Sequence, residues 1–147
     1  MDLSTAELLY EFKFQLTGVI DYGTSLEAIL GGTPPPAAGA RFELAFAGEV
    51  NGPKLQGKIK GADYASVRAD GRFDLEVRAT IETTDGARIA VIAKGTAAPS
   101  PQLGLKIIES AQWHTSAPQY QWINHAYGVG VGGGNPMGEM TLRFYLP

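Results

Sequence analysis

The stretch DGRFDLEVRATIETTDGARIAVIAKG, Asp70–Gly95, decides the fold. Two runs rich in aliphatic and β-branched residues meet at Asp85-Gly86. Asp-Gly between such runs is the strongest short hairpin signal, because a two-residue type I′ turn needs positive φ at both of its positions. In the register such a turn imposes, Thr83 opposes Arg88, Ile81 opposes Ala90 and Ala79 opposes Ile92 on one face. The other face pairs Glu82 with Ile89, Thr80 with Val91 and Arg78 with Ala93. The first face reads as core. The second mixes charged and aliphatic groups, and so reads as a ligand-bearing surface or a covered one.

Outward from the hairpin the same period of two recurs. Leu8, Tyr10, Phe12, Phe14 and Leu16 alternate with polar neighbours, which predicts a half-buried strand. Leu26, Ile29 and Leu30 behind Ser25 predict one short helical turn. Gly31–Gly39 carries three consecutive prolines and reads as a stiff, polyproline-like loop. Arg41–Val50 is a strand with Phe42, Leu44 and Phe46 on one face; Asn51-Gly52-Pro53 turns the chain into Lys54–Lys60, and Tyr64–Arg68 is a short strand. Beyond the hairpin, Ala97–Gln102 reads as a Pro-bearing loop. Leu105, Ile107, Glu109, Ala111 and Trp113 then alternate with Lys106, Ile108, Ser110, Gln112 and His114, and Tyr120–Val131 and Met140–Leu146 complete the strands. Eight or nine strands at hairpin spacing, with one helical turn, predict an all-β antiparallel barrel or sandwich. The barrel is favoured, since several strands are apolar on both faces and closure removes exposed edges. Residues 1–147 form a single domain in this scheme, with Phe12, Phe14, Phe42, Phe46, Leu75, Val77 and Ile81 in the core.

Composition narrows the function. The 147 residues are 44% apolar and 18% charged, with a net charge of −3. That balance, with no Lys or Arg run, argues against nucleic acid and anionic membrane as partners. There is no cysteine, which removes disulfides and thiolate chemistry. The N-terminal segment from Met1 lacks the pattern of a secretory signal, so a cytoplasmic location is expected. His114 and His125 stand far from any metal-ligand spacing, and neither a metal nor another cofactor is expected. Gly128–Gly134, GVGVGGG, lacks the Lys, the Ser/Thr and the helix of a phosphate loop; its glycines read as a barrel corner or a close backbone approach. Ser66, Ser110 and Thr80 sit in no nucleophile motif.

Five blocks, GEVNGPKLQGKI (Gly48–Ile59), GADY (Gly61–Tyr64), VRADG (Val67–Gly71), LEVRATIETTDGARI (Leu75–Ile89) and YQWINHAYGVGVG (Tyr120–Gly132), resemble in order and spacing the signature of the DUF3237 family, also called UPF0311. The resemblance spans about residues 8 to 146. It implies a small, soluble, largely bacterial β-barrel of no general known activity, similar at the level of fold to calycins and allene oxide cyclase. The chain departs from the family at Tyr64, where Trp is usual, and at His125, where another residue, often Arg, is usual.

Within these blocks the carboxylates are Glu49, Asp63, Glu76 and Glu82. Glu82 stands out, because a carboxylate among Ile89 and Val91 must be paired, hydrogen-bonded or raised in pKa. Arg78 shares its expected face, with a bridge to Glu76 or to a neighbouring strand as its structural alternative. Trp122 and Asn124 share a strand face, one offering apolar area and the other orientation; a core Trp beside a bonded Asn fits equally well. Three functional classes follow. The first is a barrel that binds an apolar or aromatic small molecule bearing an anionic or carbonyl group, lined by the mixed face around Arg78 and Glu82 together with Tyr64, Thr80, Trp122 and Asn124. The second is a cofactor-independent isomerase, cyclase or lyase in which Glu82, Glu49, Asp63 or His125 moves a proton while Arg78 and Asn124 hold a developing oxyanion. The third is a structural homo-oligomer with the mixed hairpin face as its interface.

Overall fold

A computed structural model describes residues 3–101 and 104–147. Gln102, the end of the expected Pro-bearing loop, and Met1 and Asp2, at the start of the segment read for a signal, lie outside that set. Eight antiparallel strands close into one barrel: β1 (Glu7–Asp21), β2 (Ala40–Asn51), β3 (Gln56–Val67), β4 (Phe73–Thr83), β5 (Arg88–Ser100), β6 (Gly104–His114), β7 (Tyr127–Gly134) and β8 (Met140–Leu146). Each strand pairs with the next, and β8 returns to β1 through Tyr10↔Phe144, Phe12↔Leu142 and Phe14↔Met140. All seven residues expected in the core are buried. The expected helical turn is α1 (Leu26–Leu30), capped by the Ser25 hydroxyl, which accepts from the Ala28 N–H at 3.1 Å. Among the described residues no helix is long and apolar enough to cross a membrane.

The central hairpin forms, but its register differs by one residue from the expected one. A two-residue I′ turn would need positive φ at Asp85, and only Gly86 takes it, at 90°. The loop therefore has three residues between Thr83 and Ala87, closed by Thr83 N–H to the Ala87 carbonyl at 2.9 Å and Gly86 N–H to the Thr83 carbonyl at 3.0 Å. The Thr83 side chain fixes it further, its oxygen accepting from the Ala87 N–H at 2.8 Å. Ile81 consequently opposes Ile89, and Glu82 opposes Arg88. Because side chains alternate strictly, this slip moves every β5 residue to the other face relative to β4. Ile81, Ile89, Val91 and Ala93 all point into the barrel, and Arg78 and Glu82 point out with Ile92 and Arg88. The mixed face that suggested a ligand surface or a subunit interface does not exist in this register.

Three further segments depart from expectation. β3 is one continuous strand through Tyr64 rather than two short ones, and β5 runs on through Pro99 to Ser100 in place of a loop from Ala97. Residues 118–125 form a 3-10 helix, not the beginning of a strand. Pro118 opens it, where a missing N–H costs nothing. The Asn124 amide then staples it to the residue just after β6, accepting from the Thr115 N–H and donating to the Thr115 carbonyl, both at 2.8 Å.

The two barrel ends are closed differently. At the end holding the β4–β5 turn, the 3-10 helix inserts Ile123 into the core and ties Tyr120 to the turn, its hydroxyl donating to Asp85 Oδ1 at 2.9 Å. At the other end α1 sits over the starts of β4 and β6, with Leu26 buried.

Candidate functional site

The barrel interior holds a cavity of about 50 Å³ lined by apolar side chains from most of the strands. Phe12 and Phe14 stack along β1 with ring centroids 4.3 Å apart and planes 16° from parallel, and Phe46 of β2 leans on both at 5.7 and 5.5 Å. Two of the lining residues break this apolar character: Asp63 from β3 and Glu109 from β6. Each occupies an inward position that the alternation reserves for the core, Asp63 between Gly61 and Ala65, Glu109 between Ile107 and Ala111.

Backbone geometry makes room for both. The cross-strand neighbours of Glu109 are Gly95 on β5 and Gly130 on β7. A Cβ on Gly95 would collide with the Ile108 carbonyl oxygen and stand 2.7 Å from the Glu109 Cα and 2.9 Å from its Cγ, so this glycine lets the β6 backbone and the Glu109 side chain come close. Asp63 uses a gap in the sheet instead. The β3–β4 ladder lapses at Tyr64 and Ala65, and the Asp63 Oδ1 accepts the Glu76 N–H at 3.1 Å.

Burial sets the protonation of the pair. Withdrawal from water raises the Asp63 pKa to about 6, against the pull of the Glu76 N–H and with a smaller push from the Glu76 charge. Glu109 is 6% exposed, and its pKa rises to about 8, through burial first and then through the negative charge of Asp63, which ionises earlier. No Lys, Arg or His lines the cavity, and neither carboxyl belongs to an ion pair among the described residues. At neutral pH the chamber thus carries one carboxylate, mainly on Asp63, and one carboxylic acid, mainly Glu109. Beyond Glu109, Trp113 Nε1 donates to the Tyr10 hydroxyl at 3.1 Å, and Phe144 packs against both rings. Burial, with the nearby Glu109, raises the Tyr10 pKa and keeps it a neutral phenol.

Of the residues expected at the site, Asp63 alone lines this cavity. Glu82 faces solvent 3.8 Å from Arg88, and Arg78 faces solvent 4.0 Å from Glu76, the ion pair foreseen as its structural alternative. Glu49 is exposed, and Tyr64 and Thr80 lie on the outer face, Tyr64 with 47% of its surface exposed. Trp122 is 38% exposed, with Lys54 Nζ 5.7 Å from its ring centre. Asn124 serves the Thr115 backbone, and His125 is exposed at the end of the 3-10 helix. Glu109 was missed, although its signal is in the sequence: it is the one charged residue on the apolar side of the Leu105–Trp113 alternation. Among the described residues no three His, Asp or Glu side chains cluster as metal ligands would.

These features define a class: a closed eight-stranded antiparallel barrel with an apolar lumen and a pair of interior carboxyl groups. The chain belongs to the DUF3237 family, described as proteins of unknown function, whose model matches residues 11–146. Among solved structures, a β-barrel-like protein from Acinetobacter baumannii AYE is 25% identical, with a TM-score of 0.79 over 97% of this chain and 94% of that one. A protein of unknown function from Clostridium acetobutylicum is 21% identical, with a TM-score of 0.78 over 97% and 99% of the two chains. An enzyme from Penicillium herquei is 22% identical, with a TM-score of 0.65 over 95% and 94%. No curated protein matches the chain.

Proposed function

We propose that this barrel is a cofactor-independent proton-transfer enzyme, of the isomerase, cyclase or lyase kind, acting on a neutral and mainly apolar carbonyl compound in its lumen. One observation carries the proposal: Asp63 and Glu109 share one apolar chamber in opposite protonation states. Two titratable groups whose surroundings separate their pKa values form the usual assignment of base and acid. Asp63, with a pKa near 6, is ionised at neutral pH and still basic enough to accept a proton from carbon next to a carbonyl. Glu109 holds its proton and donates it to the carbonyl oxygen as charge develops there. The enol so formed returns its oxygen-bound proton to Glu109 and takes the Asp63 proton at the same or a conjugated carbon, which restores both carboxyls. The apolar wall keeps water from competing.

The chemistry of the lining selects the ligand. With no cation in the chamber, an anionic group would meet Asp63 across a low-dielectric space and be repelled. The carbonyl, not the anionic, form of the expected ligand fits. The Penicillium herquei protein is called an enzyme, which agrees with a catalytic use of this barrel but names no reaction.

Deuterium exchange tests the proposal. Wild-type protein, Asp63→Asn and Glu109→Gln are incubated in D2O at pH 7 with a panel of neutral methyl ketones and cyclic enones, and label next to the carbonyl is followed by mass spectrometry. Wild-type protein accelerates exchange for at least one member, and Asp63→Asn abolishes it while still binding. Binding without exchange anywhere in the panel would leave a binding barrel and overturn the proton-transfer assignment.

A further inference from the structure

A cavity of about 50 Å³ is too small for any carbonyl compound that could use both carboxyls; an apolar cavity that holds benzene measures about 150 Å³. Something in the lumen must leave when a ligand enters. We infer that the Leu26 side chain occupies the ligand's place, and that α1 is the door through which a neutral small molecule reaches Asp63 and Glu109. The inference rests on the lumen being the binding site, and it adds the route and the residue displaced.

Four observations converge on α1. Leu26 lines the cavity, alongside Phe73, Leu105 and Met140, and is the buried side chain of the helix. Among the described residues, the hydrogen bonds of the segment from Asp21 to Gly39 outside the β1 ladder stay within that segment: Gly23 to Asp21, Ala28 to Ser25, Thr33 to Ala28 and Gly39 to Pro36 are examples. Among the described residues, the helix is therefore held to the barrel by apolar contact. It also hangs between Gly23 and Gly32, at φ of 109° and 98°, two positions on open surface where even an added Cβ would meet nothing within 4 Å. Finally, the chain around this mouth carries exposed apolar side chains: Val19, Ile20 and Tyr22 run from β1 toward α1, and Met137 stands on the β7–β8 loop beside β1. The opposite end offers no such door, since the 3-10 helix there is stapled by side-chain hydrogen bonds at Asn124 and Tyr120.

Removing a buried leucine side chain leaves space of the order that accepts one six-membered ring. Leu26→Ala should therefore bind acetophenone at least tenfold more tightly than wild type by isothermal titration. Benzoate at pH 7, of similar shape but charged, should show no such gain. Intermolecular NOEs should run from the acetophenone ring to the Leu105 and Met140 methyls. A second variant, Ser25→Ala, removes the helix cap from an exposed position and leaves the lumen lining intact; it should speed acetophenone exchange several-fold by NMR line shape. Equal or weaker binding by Leu26→Ala, or NOEs to another surface, would overturn the inference. If Leu26→Ala does not fold, an unchanged exchange rate in Ser25→Ala overturns it alone. Deuterium incorporation plays no part in these measurements: a barrel that binds acetophenone past α1 but never exchanges its methyl protons keeps the door and loses the enzyme.

Discussion

Replacing Glu109 with Gln should stabilise this protein, and the gain should grow with pH. The native Glu109 pKa is about 8 against 4.5 in the unfolded chain, so between those values the folded state holds a proton that the unfolded state releases. Stability then falls as pH rises through that window, because unfolding is favoured wherever the unfolded state binds fewer protons. At 1.36 kcal/mol per pH unit, the 3.5-unit interval amounts to at most ~5 kcal/mol for Glu109. Asp63, between 3.8 and about 6, adds at most ~3 kcal/mol over its lower window. Against a typical total of about 5–15 kcal/mol, such losses leave the wild type marginal at pH 9. On the acid side, Asp85 is held below its ordinary pKa by the Thr83 and Tyr120 hydroxyls, and its contribution is lost as pH falls below 3.8. Maximum stability is therefore expected near pH 4–5, more acidic than usual. Urea unfolding from pH 4.5 to 9 measures this directly. Glu109→Gln should match wild type within ~1 kcal/mol at pH 4.5 and exceed it by several kcal/mol at pH 9, since a neutral amide has no charge to bury. A wild-type stability that is flat or rises from pH 5 to 9, with Glu109→Gln tracking it, would show that Glu109 is solvated and that the chamber is not dry.

Other substitutions test the frame around the site. Phe46→Ala removes a buried ring that touches Phe12 and Phe14, and should cost about 3–5 kcal/mol in chemical denaturation. Asn124→Ala leaves the buried Thr115 N–H and carbonyl without partners and should cost about 2–3 kcal/mol, with faster amide exchange across residues 116–126. Gly130→Ala sets a Cβ 2.6 Å from the Phe144 ring carbon Cζ, so the ring must turn; a fall in melting temperature and altered near-ultraviolet dichroism are expected. Arg78→Met should change stability by less than about 0.5 kcal/mol, since the exposed pair with Glu76 at 4.0 Å contributes little.

The sequence carried the architecture well, because period-two alternation is a direct consequence of strand geometry and each long strand displays it. It carried the site less well, for a reason that can be located at Asp85. Asp-Gly is compatible both with a two-residue I′ turn and with a three-residue loop ending in a left-handed glycine. The choice turned on the Thr83 hydroxyl closing the loop onto Ala87, a contact that propensity does not encode. One residue of slip takes Ile89 and Val91 away from the face of Arg78 and Glu82 and into the core, leaving those two charges on an ordinary outer face. Trp122 and Asn124 were misplaced by a different route: eight residues of a stapled 3-10 helix mimic strand alternation in a segment too short to tell the two apart. Asp63 was legible as a carboxylate inside a conspicuous block. Glu109 was legible as well, but only to a question about which polar residue falls on an apolar face.

That question separates Glu109 from the other polar groups of the core. The buried Thr83 and Thr115 each bond backbone, and the Tyr10 hydroxyl receives the Trp113 N–H. A structural carboxyl at such depth would be expected to have a cation or several donors, because the unpaired charge is costly. Glu109 has neither among the described residues, and the arginines of the neighbouring hairpin all point outward. Leucine at this position would satisfy the alternation, yet the chain carries a carboxylic acid there and sets a second carboxyl in the same chamber. A local rule broken twice in one chamber, with Asp63 returning one backbone hydrogen bond and Glu109 none, is what the proposed proton chemistry needs and what a packed core does not.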